Sequence, residues 1–135
     1  MADVLVDTSV WVDFFRRSAR SPWRPRLVEL LEQGAVVIVD PVVAELLYGA
    51  RSEREQTVIR QLAESVRRPE LDLEVWLAAG GLGHEWRARG VTLALVDCLL
   101  AAVALRESIA LWTLDDDFAP LFAAGTIARF EPAEP

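Results

Sequence analysis

Apolar residues along this chain recur with two periods, and the alternation between the two predicts its elements. Short β-branched runs at Asp3–Asp7 (DVLVD), Ala35–Val39 (AVVIV) and Ile109–Thr113 (IALWT) read as buried strands, with weaker strand patterns at Leu71–Glu74 and Thr126–Phe130. Helical spacing takes over between them. A helix capped by Thr8 or Ser9 carries Val10, Trp11, Phe14 and Phe15 and ends at Arg16 and Arg17. Ser18–Pro25 is a loop by composition, and Arg26–Gln33 a helix stopped by Gly34. Asp40 caps a third helix with Pro41 at its first position and Glu45 in its second turn, ending near Gly49. Further helices are expected over Ser52–Val66, through Trp76 and Trp86 to Gly90, over Val96–Arg106 and over Asp116–Ala124. Strands alternating with helices predict a three-layer α/β/α sandwich around a mainly parallel sheet. With no repeat or linker in view, residues 1–131 are expected to form one domain and residues 132–135 a frayed tail.

Composition narrows the class. The chain is 53% hydrophobic, enough for a core without staples, and its single cysteine, Cys98, excludes an internal disulfide. A reducing cytoplasm is the expected compartment. No apolar run reaches the roughly 18 residues of a membrane span, and no signal peptide is legible. The net charge of −7 argues against a broad basic coat for nucleic acid, yet a local arginine patch remains compatible with phosphate binding. All 14 basic residues are arginine. The absence of lysine removes phosphatases of the haloacid-dehalogenase type and phosphoacceptor receiver domains, both of which need one.

Candidate chemistry lies at the carboxyl ends of the expected strands, where open α/β sheets bind ligands. Asp7 closes the first strand, Glu45 interrupts an apolar helix after the second, Asp97 opens the Leu/Ala-rich helix, and Asp115 lies two residues past Thr113. Each acid taken singly has an ordinary reading as a cap or solvated side chain. Converging, they repel one another and require a raised pKa or a cation. An all-oxygen donor set suits Mg²⁺ or Mn²⁺ rather than zinc, and such ions support phosphodiester hydrolysis. His84, the only histidine, has no nucleophile motif around it and reads as a solvated helix residue.

Four segments, VLVDTSVWVDFF, VVAELLYG, LVDCLLAAVAL and TLDDDF, taken in order, resemble the PIN-domain ribonucleases, and among them the VapC-type toxins of bacterial toxin–antitoxin pairs. The resemblance implies acidic ligands at Asp7, Glu45, Asp97 and Asp115, with Asp117 as a supporting ligand and Ser9 and Thr113 as hydroxyls bonded within the site. Asp116 is expected to point away and serve the helix start. The resemblance also implies a Mg²⁺- or Mn²⁺-dependent endoribonuclease acting on structured RNA such as tRNA, a homodimer, and a small antitoxin that silences it. Arg16, Arg17, Arg20, Arg24 and Arg26 cluster after the first helix, either to hold RNA phosphates or as a solvated loop. The non-enzyme alternative is a degenerate fold of the same kind that only binds RNA or a partner; four intact acids argue against it.

Overall fold

The computed structural model describes residues 2–133, so Glu134 and Pro135 of the expected tail lie outside the described residues. Its centre is a small parallel sheet of β1 (Val4–Val6), β2 (Val36–Val37) and β3 (Ala110–Trp112), ordered β2-β1-β3. Val4 pairs with Val36 and Ala110, and Leu5 with Val37 and Leu111. Successive strand residues point to opposite faces, yet Val4, Leu5 and Val6 are all buried. Both faces are therefore covered, which makes the molecule the expected three-layer sandwich.

Seven helices, α1 (Thr8–Arg17), α2 (Arg24–Glu32), α3 (Asp40–Tyr48), α4 (Glu53–Ser65), α5 (Leu73–Ala88), α6 (Leu95–Glu107) and α7 (Ala119–Ala123), are found among the described residues. Helix α6 is the most deeply set, with Cys98 through Ala104 all buried, as expected from its nearly unbroken apolar sequence. Helix α5 lies along α6 and covers it from one side. Gly34 and Gly90, at φ +67° and +88°, end α2 and α5 in the left-handed region that glycine enters without penalty.

Several boundaries differ from the sequence reading, each for a local reason. Leu71–Glu74 is not a strand: Asp72 accepts a hydrogen bond from the Val75 N–H at 3.0 Å and starts α5. Thr126–Phe130 pairs with β3 through one bridge only, Leu111 with Arg129, after which Pro132 offers no N–H to continue a ladder. The loop at Ser18–Pro25 contains a 3-10 turn, Ser18–Arg20, and the first turn of α2. Asp40 does not cap α3. Val39 holds the cap position, and the Asp40 carboxylate pairs with Arg68 at 2.7 Å. Neither Thr8 nor Ser9 caps α1, because Asp7 occupies that position through its backbone carbonyl, which accepts from Val10 N–H at 3.1 Å. Both hydroxyls are thereby released for other partners.

Candidate functional site

Asp7 is the fixed point of the site. Its N–H stays in the sheet, bonded to the Trp112 carbonyl at 2.9 Å, so its carboxylate emerges at the carboxyl end of the central strand. The side chain is only 5% exposed. Ser9 Oγ and Thr113 Oγ1 each donate to Asp7 Oδ2 at 2.8 Å, leaving Oδ1 for another partner. The two hydroxyls also tie in the neighbouring loop: Leu114 N–H donates to Ser9 Oγ at 2.9 Å, and Asp115 N–H donates to Thr113 Oγ1 at 3.0 Å. Strand β3 is thus locked to β1 by side chains just where its backbone ladder ends.

The same arrangement recurs at two further acids. Thr8 Oγ1 donates to Glu45 Oε1 at 3.3 Å, and Asp117 N–H donates to Asp115 Oδ1 at 3.1 Å. Asp7, Glu45 and Asp115 therefore each have one carboxylate oxygen bonded by the protein and one left over. Bonding of this kind fixes the direction in which a ligating oxygen points. It also corrects the reading of the DDD run: Asp115, not Asp116, caps the 3-10 turn Asp116–Phe118, while Asp116 is exposed.

Asp7, Glu45, Asp97, Asp115 and Asp117 all line one recess of about 530 Å³, with Thr8, Ser9 and Val12 on its wall. Asp97 registers the convergence. Its pKa is pushed up to about 6, first by burial and then by the charges of Asp7, Asp117, Asp115 and Glu45. The neighbouring carboxylates repel one another, and either the proton held by Asp97 or a cation relieves that repulsion. Among the described residues no three acids are close enough to enclose an ion directly. They line a shared recess instead. The donor set contains oxygen only, so the residues present fit a hard divalent cation.

The arginines are spread more widely. Arg16 lines a small separate cleft that shares Val12 and Glu45 with the recess, and it donates to the Gly49 carbonyl at 3.5 Å. Arg17 pairs with Asp13 at 3.2 Å, Arg24 stacks on the Phe14 ring at 4.3 Å, and Arg26 pairs with Glu29 at 2.9 Å. Arg20 is exposed. The sequence reading gave Thr8 no role beyond a cap, and the structure places its hydroxyl on Glu45. The available signal was the pair of hydroxyls directly after a strand-end aspartate, since one cap position cannot use both.

A covered parallel sheet with carboxylates gathered past its strand ends defines an α/β protein with an acidic recess at the carboxyl edge of its sheet. Comparison with known proteins carries this further: the PIN domain model matches residues 4–121, and the chain belongs to that family. The VapC ribonuclease Mb1587 of Mycobacterium bovis is 31% identical over 120 residues, covering 85% of this chain and 88% of that protein. VapBC2 from Rickettsia felis, solved bound to a DNA fragment from its promoter, superposes with a TM-score of 0.72 at 19% identity, covering 94% of this chain and 96% of that one. A toxin–antitoxin complex from Klebsiella pneumoniae gives a TM-score of 0.67 at 20% identity, covering 87% and 91%. These two structural likenesses show the shared fold.

Proposed function

We propose that the chain is the toxin of a toxin–antitoxin pair, a Mg²⁺- or Mn²⁺-dependent endoribonuclease that cuts tRNA or other structured RNA and so stops translation. The observation that carries this reading is the one recess lined by five acids, where burial and then four neighbouring carboxylates push the Asp97 pKa up to about 6. The identity with a VapC ribonuclease supports the choice of RNA as substrate.

Asp7, Glu45, Asp97 and Asp115 would hold the ion, with Asp117 supporting from the rim. A divalent cation bound there supplies water activation and a counter-charge for the phosphate. Ser9 and Thr113 aim Asp7, and Thr8 aims Glu45, by bonding one oxygen of each, so that little reorganises there on binding. Asp97, whose carboxyl pKa is pushed up to about 6 chiefly by burial, would be held in its charged form by such an ion. Arg16 in the adjoining cleft, with Arg17, Arg20 and Arg24 farther along, would take RNA phosphates.

Residues 1–131 would act as one nuclease domain followed by the 132–135 tail, working in the cytoplasm as a homodimer. The structural likeness to a toxin–antitoxin complex supports a small cognate antitoxin as partner. Incubating the purified chain with total tRNA in Mg²⁺, in Mn²⁺ and in EDTA tests the reading. Cleavage is expected with either ion, none in EDTA, and none from Asp7→Asn. Cleavage that persists in EDTA overturns the metal mechanism, and RNA binding without cleavage under every ion leaves the binding-only alternative.

A further inference from the structure

The acidic recess has a neighbour. On the other side of the turn that starts α6, a second recess of about 210 Å³ opens between α5 and α6. Leu95 and Cys98 line it, while Val96 and Asp97, between them in sequence, line the acidic one. The first turn of α6 is therefore a wall common to both recesses, within reach of a nucleic-acid strand that continues past the acids.

What the second recess offers is the opposite of the first. No carboxylate lines it. His84 and Arg87, one turn apart on α5, both face it and both are exposed. Among the described residues neither side chain has a hydrogen-bond or ion-pair partner. Arg89, two residues on, differs in being engaged twice, with Glu85 at 2.9 Å and over the Trp86 ring at 4.9 Å.

The glycines of α5 point the same way. Glycine is the poorest helix former apart from proline, yet α5 carries it at 80, 81 and 83. Packing accounts for Gly83, where a Cβ would meet Cys98 Sγ at 3.0 Å. It does not account for Gly80, where a Cβ would meet nothing within 4 Å. Gly80 lines the recess, and its missing side chain keeps that wall open.

From this juxtaposition we infer that the recess is a phosphate subsite for the RNA strand beside the scissile position, with Arg87 and His84 as donors. Leu95, 59% exposed, gives the adjoining base an apolar wall. The inference rests on the nuclease reading. Guanidinium and imidazole N–H groups are suited to phosphate oxygens, and in a chain of net charge −7 an unpaired cation next to the acidic site counters the repulsion that RNA meets there.

Arg87 also lies in the last turn of α5, where a cation favours the helix end without any ligand, so the test needs readouts that this role does not move. In an Asp7→Asn background with Mn²⁺, binding of a short fluorescein-labelled single-stranded RNA is followed by anisotropy across a salt series. Arg87→Gln is expected to weaken binding severalfold and to flatten the slope of log affinity against log salt by about 0.7, the loss of one phosphate contact. Arg60→Gln, at an exposed arginine on α4, leaves slope and affinity unchanged. Gly80→Leu is expected to raise Tm while lowering RNA affinity, a combination that a structural role alone does not produce. An unmoved slope in Arg87→Gln, or a Gly80→Leu chain with higher Tm and full affinity, overturns the subsite, as does an Asp7→Asn parent that binds no RNA. Cleavage of tRNA by the unmodified chain is read in parallel. If cleavage is intact and the slope unmoved, only the subsite falls; if the slope shifts and cleavage is absent, only the nuclease reading falls.

Discussion

Asp97 is the residue on which the charge of the site converges, and its titration gives a signed prediction. Its folded-state pKa of about 6 lies above the ordinary 3.8. Between those values the folded chain holds a proton that the unfolded chain has released, so ion-free stability falls as pH rises through that window. Urea titrations in EDTA should show this decline, and Asp97→Asn should remove it. Mn²⁺ reverses the sign. The ion competes with the proton on Asp97, so apparent affinity should climb between about pH 5 and 7 and level off above, as read by the Tm increase at fixed Mn²⁺. Thr113 makes the matching case among the neutral groups. It is 3% exposed and bonds both Asp7 and the Asp115 N–H. Thr113→Val is expected to cost about 2 kcal/mol in urea unfolding and to lower cleavage, whereas Thr113→Ser keeps the hydroxyl and most of both.

At the scale of elements, the sequence was legible wherever one signal governed. The buried strand cores and the apolar helix α6 follow from hydrophobic runs that admit no other placement. So does the start of α4, where Ser52 accepts from the Glu55 N–H at 3.1 Å; Ser52→Ala should cost about 1 kcal/mol in the same unfolding assay. Misreadings arose where two signals overlapped. In Leu71–Glu74 a two-residue alternation coincided with a cap, and Asp72 also takes Arg106 at 2.8 Å, a partner 34 residues away that no local window contains. At the site, the sequence located the acids, because strand ends and interrupted apolar runs mark them. It did not show that Asp115 is both cap and candidate ligand, since the two roles use different oxygens of one carboxylate. Nor did it assign Thr8, whose partner is set by how α1 meets α3.

The whole molecule carries a net charge of −7, and much of what happens to it in solution should depend on divalent ions. Mg²⁺ or Mn²⁺ should raise Tm well beyond NaCl at equal ionic strength, because a site-bound ion adds to general screening. Asp97→Asn should lose most of that excess, which scanning calorimetry reads directly. Arg67, held between Asp3 at 2.7 Å and Glu107 at 2.9 Å, lies at the opposite end of β1 from Asp7 and is a poor candidate for RNA contacts. Arg20 and Arg87, exposed and outside those pairs, are better ones.

The hydrogen bond from Thr113 to Asp7 spans 106 residues. The segment after β3 thus reaches back to β1, the earliest of the three sheet strands in the chain and the middle one of the finished sheet. A nascent chain carrying Asp7, Glu45 and Asp97 still lacks the hydroxyl that aims Asp7 and the strand that supports it. Such late, long-range closure is the slow step of parallel sheets. For a protein whose activity would harm the cell that makes it, the order of synthesis is then a delay written into topology: the acidic recess is completed only once the chain has been translated past Thr113 and Asp117.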